Sequence, residues 1–302
     1  MNIFKNQPIY YTIMQKTITI ENQIFEVRNN VKSQTADISK SERFFEYYDS
    51  EIIHESLSFF LLFESPFDCA FAHWVYESAV YLYYFFELKS EYPELKILVK
   101  KNPKRSYKNL FFKALNIINE NDIHWIENEE SRDCNTVYKN IPINNVCINT
   151  TPHYMNMIHI PNKDAFNKLL IQFRDKIMDN LNVTFPEERA LEYLFFPRSK
   201  LENNVSNDRI INYDNVYKLL KGKNYIEYDT INTTNLKDQI ELLISSKHIF
   251  LDWGSSMLVN GLFCKDSIIL ISDALLYQKK YEWFDVFFQI LSENNNCIQI
   301  LI

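Results

Sequence analysis

Between residues 191 and 271 the chain repeats one pattern: a short apolar run, a polar link, then a stretch with apolar residues at helical spacing. Residues 191–196 predict a strand, 214–221 a helix closed by Gly222, 225–228 a strand and 236–245 a helix; 249–252 then predict a strand, 255–263 a helix and 267–271 a strand. Strands alternating with helices over short links argue for a parallel sheet covered by helices, the doubly wound arrangement. Ligands of such sheets sit beyond the carboxyl ends of the strands, so the residues that end each strand are the first candidates for function.

The first half is less regular. Residues 9–27 alternate apolar and polar with many β-branched side chains, a strand or hairpin signal. A compact apolar run at 56–63 predicts a buried strand, which Ser65-Pro66 breaks before a helical stretch at 67–88. Residues 95–99 predict a strand, and 107–118 a helix carrying Leu110, Phe111, Ala114, Leu115 and Ile118 on one face. Residues 124–126 predict a strand, and 127–145 are polar without a period. The clearest helix is 162–182, with Phe166, Leu169, Leu170, Phe173, Ile177 and Leu181 on one face and Asn162 or Asp164 as its cap. It is expected to join two domains, 1–165 and 166–302, with the last helix of the chain packing back on the first.

Composition narrows the partners. With 302 residues and 46% hydrophobic content there is core material for two modest domains or one large one. A formal charge of -7 argues against nucleic acid as partner, because neutralising a phosphate backbone needs a net basic face. A nucleotide-sized ligand needs only one or two well-placed cations. Five scattered cysteines (Cys69, Cys134, Cys147, Cys264, Cys297) fit neither a disulfide framework nor a zinc site, which points to a reducing compartment. Residues 1–11 lack a basic stretch ahead of a long apolar run, and 75–86 is too short and interrupted to cross a bilayer. The expected location is the cytoplasm, with peripheral association at the inner face of the membrane left open.

Three segments carry chemistry. In residues 248–263 (HIFLDWGSSMLVNGLF) a strand ending in Asp252 meets Gly254, one of only three glycines, and then Ser255 and Ser256 at a helix start. Backbone N–H groups and the dipole of that helix make an anion site, and a glycine lets a phosphate approach closely. The plainer alternative is a tight turn at Gly254 with Ser255 as the helix cap. Arg198 follows the 191–196 strand and Arg209 lies in the next link; a guanidinium fork suits phosphate oxygens, although a loop arginine is commonly just a solvated ion-pair member. His73 and Glu77 are four apart, so on a helix they share a face, where the histidine can act as general base or orient a hydroxyl, or can simply be a satisfied interface residue. The stretch lacks a second histidine at zinc-binding spacing, and His153 and His159 have no carboxylate at ligand spacing, so no metal is assigned.

Taken together, His73-Trp74 with Glu77, then Arg198, Arg209 to Asn212, Gln239 and the run from Gly254 through Asn260 to Phe263, resemble glycosyltransferase family 61. The likeness extends over 190–272 and more faintly over 56–120. It implies an α/β chain of the GT-B-like kind, two Rossmann-type domains facing a central cleft, with an acceptor-side domain first and a nucleotide-sugar-binding domain second. It also implies an inverting, metal-independent transfer from a nucleotide donor such as a UDP-sugar to a glycan acceptor in surface-polysaccharide or glycoconjugate synthesis, without a cofactor. The sequence shows no isolated DxD of the metal-dependent kind. On this reading Arg198, Arg209, Asn212, Gln239, Gly254, Ser255, Ser256 and Asn260 bind the donor, and His73, then Glu77, then Asp252 are candidates for the base. The chain departs from the family where Trp253 stands in place of the frequent His, where Ser255 replaces Ala, and in a Gly254-to-Asn260 spacing one residue longer. Two other readings are a non-catalytic GT-B-like glycan-binding or scaffold subunit, which Trp253 favours, and a polysaccharide pyruvyl transferase.

Overall fold

The computed structural model describes residues 10–12, 17–20, 23–28, 31–37, 42–47, 59–61, 71–100, 107–117, 121–126, 136–139, 146–149, 163–196, 213–228, 235–251, 255–272, 291–293 and 295–300. The chain divides into two compact units, one of residues 1–106 and 117–169, the other of 107–116 and 170–302.

The first unit begins with five strands, β1 (Tyr10–Thr12), β2 (Thr17–Ile20), β3 (Gln23–Arg28), β4 (Val31–Asp37) and β5 (Glu42–Tyr47). Then come β6 (Phe59–Leu61), α1 (Phe71–Glu77), a 3-10 turn at Ala79–Tyr81, α2 (Leu82–Lys89) and β7 (Lys96–Lys100). After α3 (Tyr107–Ala114), which belongs to the second unit, the chain returns through β8 (Ile123–Ile126), β9 (Thr136–Lys139) and β10 (Val146–Asn149). Seven strands form one sheet in the order β1-β2-β3-β10-β6-β7-β8, and β5-β4-β9 form a second. The set β10, β6, β7 and β8 is parallel. Ile97, Leu98 and Val99 of β7 are all buried, as expected of a strand covered on both faces.

This unit departs from the pure doubly wound layout expected from the likeness. Its sheet is extended by an antiparallel meander, β1 on β2 on β3, and the second sheet is antiparallel throughout. The links β1–β2, β2–β3 and β4–β5 are each only a few residues long, too short for the crossover that parallel neighbours need, whereas β9 joins β4 antiparallel from far along the chain. The helical stretch expected at 67–88 is also divided, because Ala79–Tyr81 tighten into a 3-10 turn.

The second unit holds α3, the carboxyl-terminal part of α4 (Lys163–Leu181), then β11 (Leu191–Phe196), α5 (Tyr213–Leu220) and β12 (Tyr225–Glu227). It continues with α6 (Leu236–Ile244), β13 (Ser246–Leu251), α7 (Ser255–Leu262), β14 (Ile268–Ser272) and β15 (Asn296–Ile300). The sheet is parallel throughout, in the order β12-β11-β13-β14-β15. With right-handed crossovers, α5 lies on one face and α6 and α7 on the other. On the α5 face Phe195, Leu220 and Phe250 form the core, with Tyr193, Tyr225 and Leu270 packed against them.

Local chemistry sets the element ends. Helix α4 closes with Asn182 in the left-handed region (φ 53) and the Val183 amide reaching back 2.9 Å to the Met178 carbonyl, which satisfies an end carbonyl. Helix α5 closes with Gly222 at φ 78, the conformation that makes glycine the favoured residue there. The Asn235 side chain caps α6 by accepting from the Lys237 amide at 3.0 Å. At the amino edge of the sheet Arg189 donates to the Ser246 carbonyl at 2.7 Å, to Ser267 Oγ at 2.6 Å and to the Lys265 carbonyl, joining the starts of β11, β13 and β14.

Candidate functional site

Strand order locates the end of the second unit at which parallel sheets of this kind hold ligands. The chain runs from β11 outward to β12, then back across β11 to β13, so the direction of winding reverses between β11 and β13. At such a reversal neighbouring helices diverge on opposite faces and leave a crevice beyond the carboxyl ends. The two strands end level, with Phe196 of β11 paired with Leu251 of β13. Arg198 is the second residue after the first end, and Gly254 the third after the other.

Of the residues singled out in this unit, Arg198, Arg209, Asn212, Asp252 and Gly254 lie outside the described residues, as does Trp253. Ser255 and Ser256 open α7, so the helix start expected after Gly254 is present. Gln239 and Asn260 come together: Gln239 Nε2 donates to Asn260 Oδ1, joining α6 to α7. Asn260 is buried. The two amides expected to contact a donor are thus engaged with each other, an arrangement that holds the helix beginning at Ser255 against its neighbour. Behind them the Asn260 carbonyl accepts from the Phe263 amide at 3.0 Å and from Cys264 Sγ at 3.3 Å. Burial pushes the Cys264 thiol well above its ordinary pKa, so it stays protonated and is no nucleophile.

No family model matches the chain, and no curated protein is significantly similar to it.

In the first unit, Ala72, Trp74, Val75 and Tyr76 of α1 are buried. Its two chemically active residues meet as their spacing predicts: His73 Nδ1 lies 2.6 Å from Glu77 Oε1. The His73 side chain is 25% exposed while that of Glu77 is 1% exposed, so the pair is a carboxylate withdrawn from water beneath an imidazole that reaches it. Glu77 Oε2 meets no hydrogen-bond donor among the described residues. Since α1 follows β6 and leads back to the start of the parallel strand β7, its first turn, with His73, belongs to the carboxyl side of the sheet.

A feature that sequence reasoning passed over is an aromatic pair at the carboxyl end of the second unit's sheet. Phe196, last in β11, and Tyr228, just past β12, place their ring centroids 4.5 Å apart, both buried. The periodicity marks both as strand-end residues, but only the parallel pairing of β11 with β12 brings them side by side. Among the described residues no three His, Cys, Asp or Glu gather as a metal site, and no helix is long and apolar enough to cross a membrane.

Proposed function

We propose that the chain is an inverting, metal-independent glycosyltransferase of the GT-B type that moves a sugar from a nucleotide donor, UDP-linked on our reading, to a glycan acceptor in surface-polysaccharide or glycoconjugate synthesis. The observation that carries this reading is the winding reversal between β11 and β13, whose level ends are followed in the chain by Arg198 and by Gly254 ahead of α7. A parallel sheet offers a diphosphate the start of a helix and the segment of the neighbouring strand at that point. Charge grows on the leaving diphosphate as the glycosidic bond to it breaks. Arg198, Arg209 and the amides that open α7 are the groups assigned to stabilise it, with no cofactor required. His73 is the first candidate for the base, ahead of Glu77 and Asp252; its contact with a buried carboxylate supports that ranking.

The test is a panel of nucleotide-sugars and nucleotides measured by thermal shift. A ligand at about a hundred times its Kd stabilises by about 2.7 kcal/mol. UDP or a UDP-sugar is expected to raise Tm most, equally with and without Mg or Mn, and Arg198→Ala to abolish the shift. Strict dependence on a divalent ion would overturn the metal-free assignment. A response to phosphoenolpyruvate instead would point to pyruvyl transfer, and ligand binding without turnover to a glycan-binding subunit.

A further inference from the structure

We propose that the outer edge of β15 is an interface at which a second copy of this chain extends the parallel sheet across a two-fold axis. The two edges of the second unit's sheet, β12 and β15, are built differently. Strand β12 is three residues long, ends in Glu227 and follows Lys221 and Lys223; shortness and charge of this kind keep an edge from pairing with other chains. Strand β15 is five residues long and reads NCIQI, with no charge and no proline. Among the described residues no strand pairs with its outer side.

The register says which backbone groups are open. In a parallel pair, alternate residues of a strand turn both N–H and C=O to the same neighbour. Ile268 stands beside Asn296, and the Asn296 amide donates to the Ser267 carbonyl at 2.9 Å, so Asn296, Ile298 and Ile300 turn their backbone groups to β14. Cys297 and Gln299 turn theirs outward. A two-fold axis at Ile298 sets Cys297 opposite Gln299 of the second copy, and Gln299 opposite its Cys297, each pair exchanging both N–H···O bonds. The two Ile298 residues then face each other as a pair without hydrogen bonds, the kind that brings side chains closest, with about 4.5 Å between Cα atoms.

The side chains fit the same axis. Leu270, beside Ile298 in the ladder, packs on the α5 face, so Ile298 belongs to that face, where it is 49% exposed. An axis perpendicular to the sheet keeps each face on its own side, and the two exposed isoleucines meet. At a net charge of -7 two copies repel each other through most of their surface, whereas an uncharged strand lets them approach with no like charges opposed. An ionic partner would find nothing to hold on this strand.

One strand pair buries less than the ~1,200 Å2 of a standard interface, which sets the dimer dissociation constant on the order of micromolar. Sedimentation equilibrium of the full chain from about 1 to 200 μM is therefore expected to show a monomer–dimer equilibrium. Ile298→Lys sets two ammonium groups against each other at the axis and is expected to weaken dimerisation at least ~10-fold, with a wild-type far-UV circular dichroism spectrum because the site is half open to water. Ile298→Cys is expected to give a disulfide-linked dimer on mild oxidation, since the paired Cα atoms fall within disulfide reach. The wild type is not, because its Cys297 and that of the second copy stand on a diagonal beyond that reach. A wild type that stays monomeric over the whole range would overturn the proposal. So would a dimer that persists undiminished in Ile298→Lys, or one that forms while Ile298→Cys fails to cross-link, since either puts the contact on another surface.

Discussion

Arg189→Ala removes one side chain that ties the start of β11 to those of β13 and β14 through three acceptors. Two of its acceptors, the Ser246 carbonyl and Ser267 Oγ, belong to residues with no exposed surface, whereas the third is the Lys265 carbonyl beside exposed chain. Water can replace the arginine at Lys265 but not easily at the other two. Each buried acceptor that loses a donor costs about 1–1.5 kcal/mol net, so the variant should lose about 2–3 kcal/mol. For a domain of this size that corresponds to a fall in Tm of roughly 5–10 °C. Arg189→Lys keeps the charge but cannot span three acceptors from one ammonium, so it should recover less than half of the loss. Urea unfolding followed by far-UV circular dichroism measures both. Because Arg189 stands at the amino edge, any nucleotide affinity found on the proposed function should not change well below Tm. A loss under about 0.5 kcal/mol for Ala, or complete rescue by Lys, would refute the three-way clamp.

Two further outcomes follow from local geometry. A Cβ on Gly261 would collide with Leu291 Cδ2, so Gly261→Ala should destabilise by about 1 kcal/mol in the wild type yet stabilise by roughly the helix-propensity difference, about 0.5–1 kcal/mol, in a Leu291→Ala background; a double-mutant cycle in urea checks the change of sign. Partial burial and the 2.9 Å hydrogen bond to Glu227 push the Tyr217 phenol up to about 12. The folded chain therefore holds this proton after the unfolded chain releases it near pH 10, and the wild type should lose stability relative to Tyr217→Phe as pH rises from 10 to 12, with the phenolate difference spectrum titrating near 12.

Much of the second unit is legible in the residues. The strand at 191–196 and the helix and strand boundaries through 272 fall within a few residues of expectation, because apolar runs there are punctuated by real stops: Gly222 with its positive φ and Asn235 as a cap. The order β12-β11-β13-β14-β15 is not legible, since no residue says on which side of β11 the next strand will land. Strand β4 reads VKSQTAD and carries too little apolar alternation to announce itself; β9 sits in a polar stretch that has no period. The 3-10 turn at Ala79–Tyr81 has no glycine or proline to mark it, because that segment is buried and apolar on every side. At the candidate site the His73–Glu77 spacing is visible in the sequence but the burial of Glu77 is not, because what covers a side chain is set by tertiary packing and not by spacing along one helix. The bond between Gln239 and Asn260 was hidden too, because 21 positions separate them and only the α6–α7 packing brings them together.

The seat of Arg189, at the far rim from the segments that follow Phe196 and Leu251, divides the labour of the second unit between two poles. Anchorage is concentrated at one, and on the proposed function the chemistry falls at the other. Segments grafted after β11 or β13 could therefore be longer, shorter or differently charged without loosening the stitch beneath them, and on the proposed function that makes this sheet a chassis for exchanging one nucleotide for another.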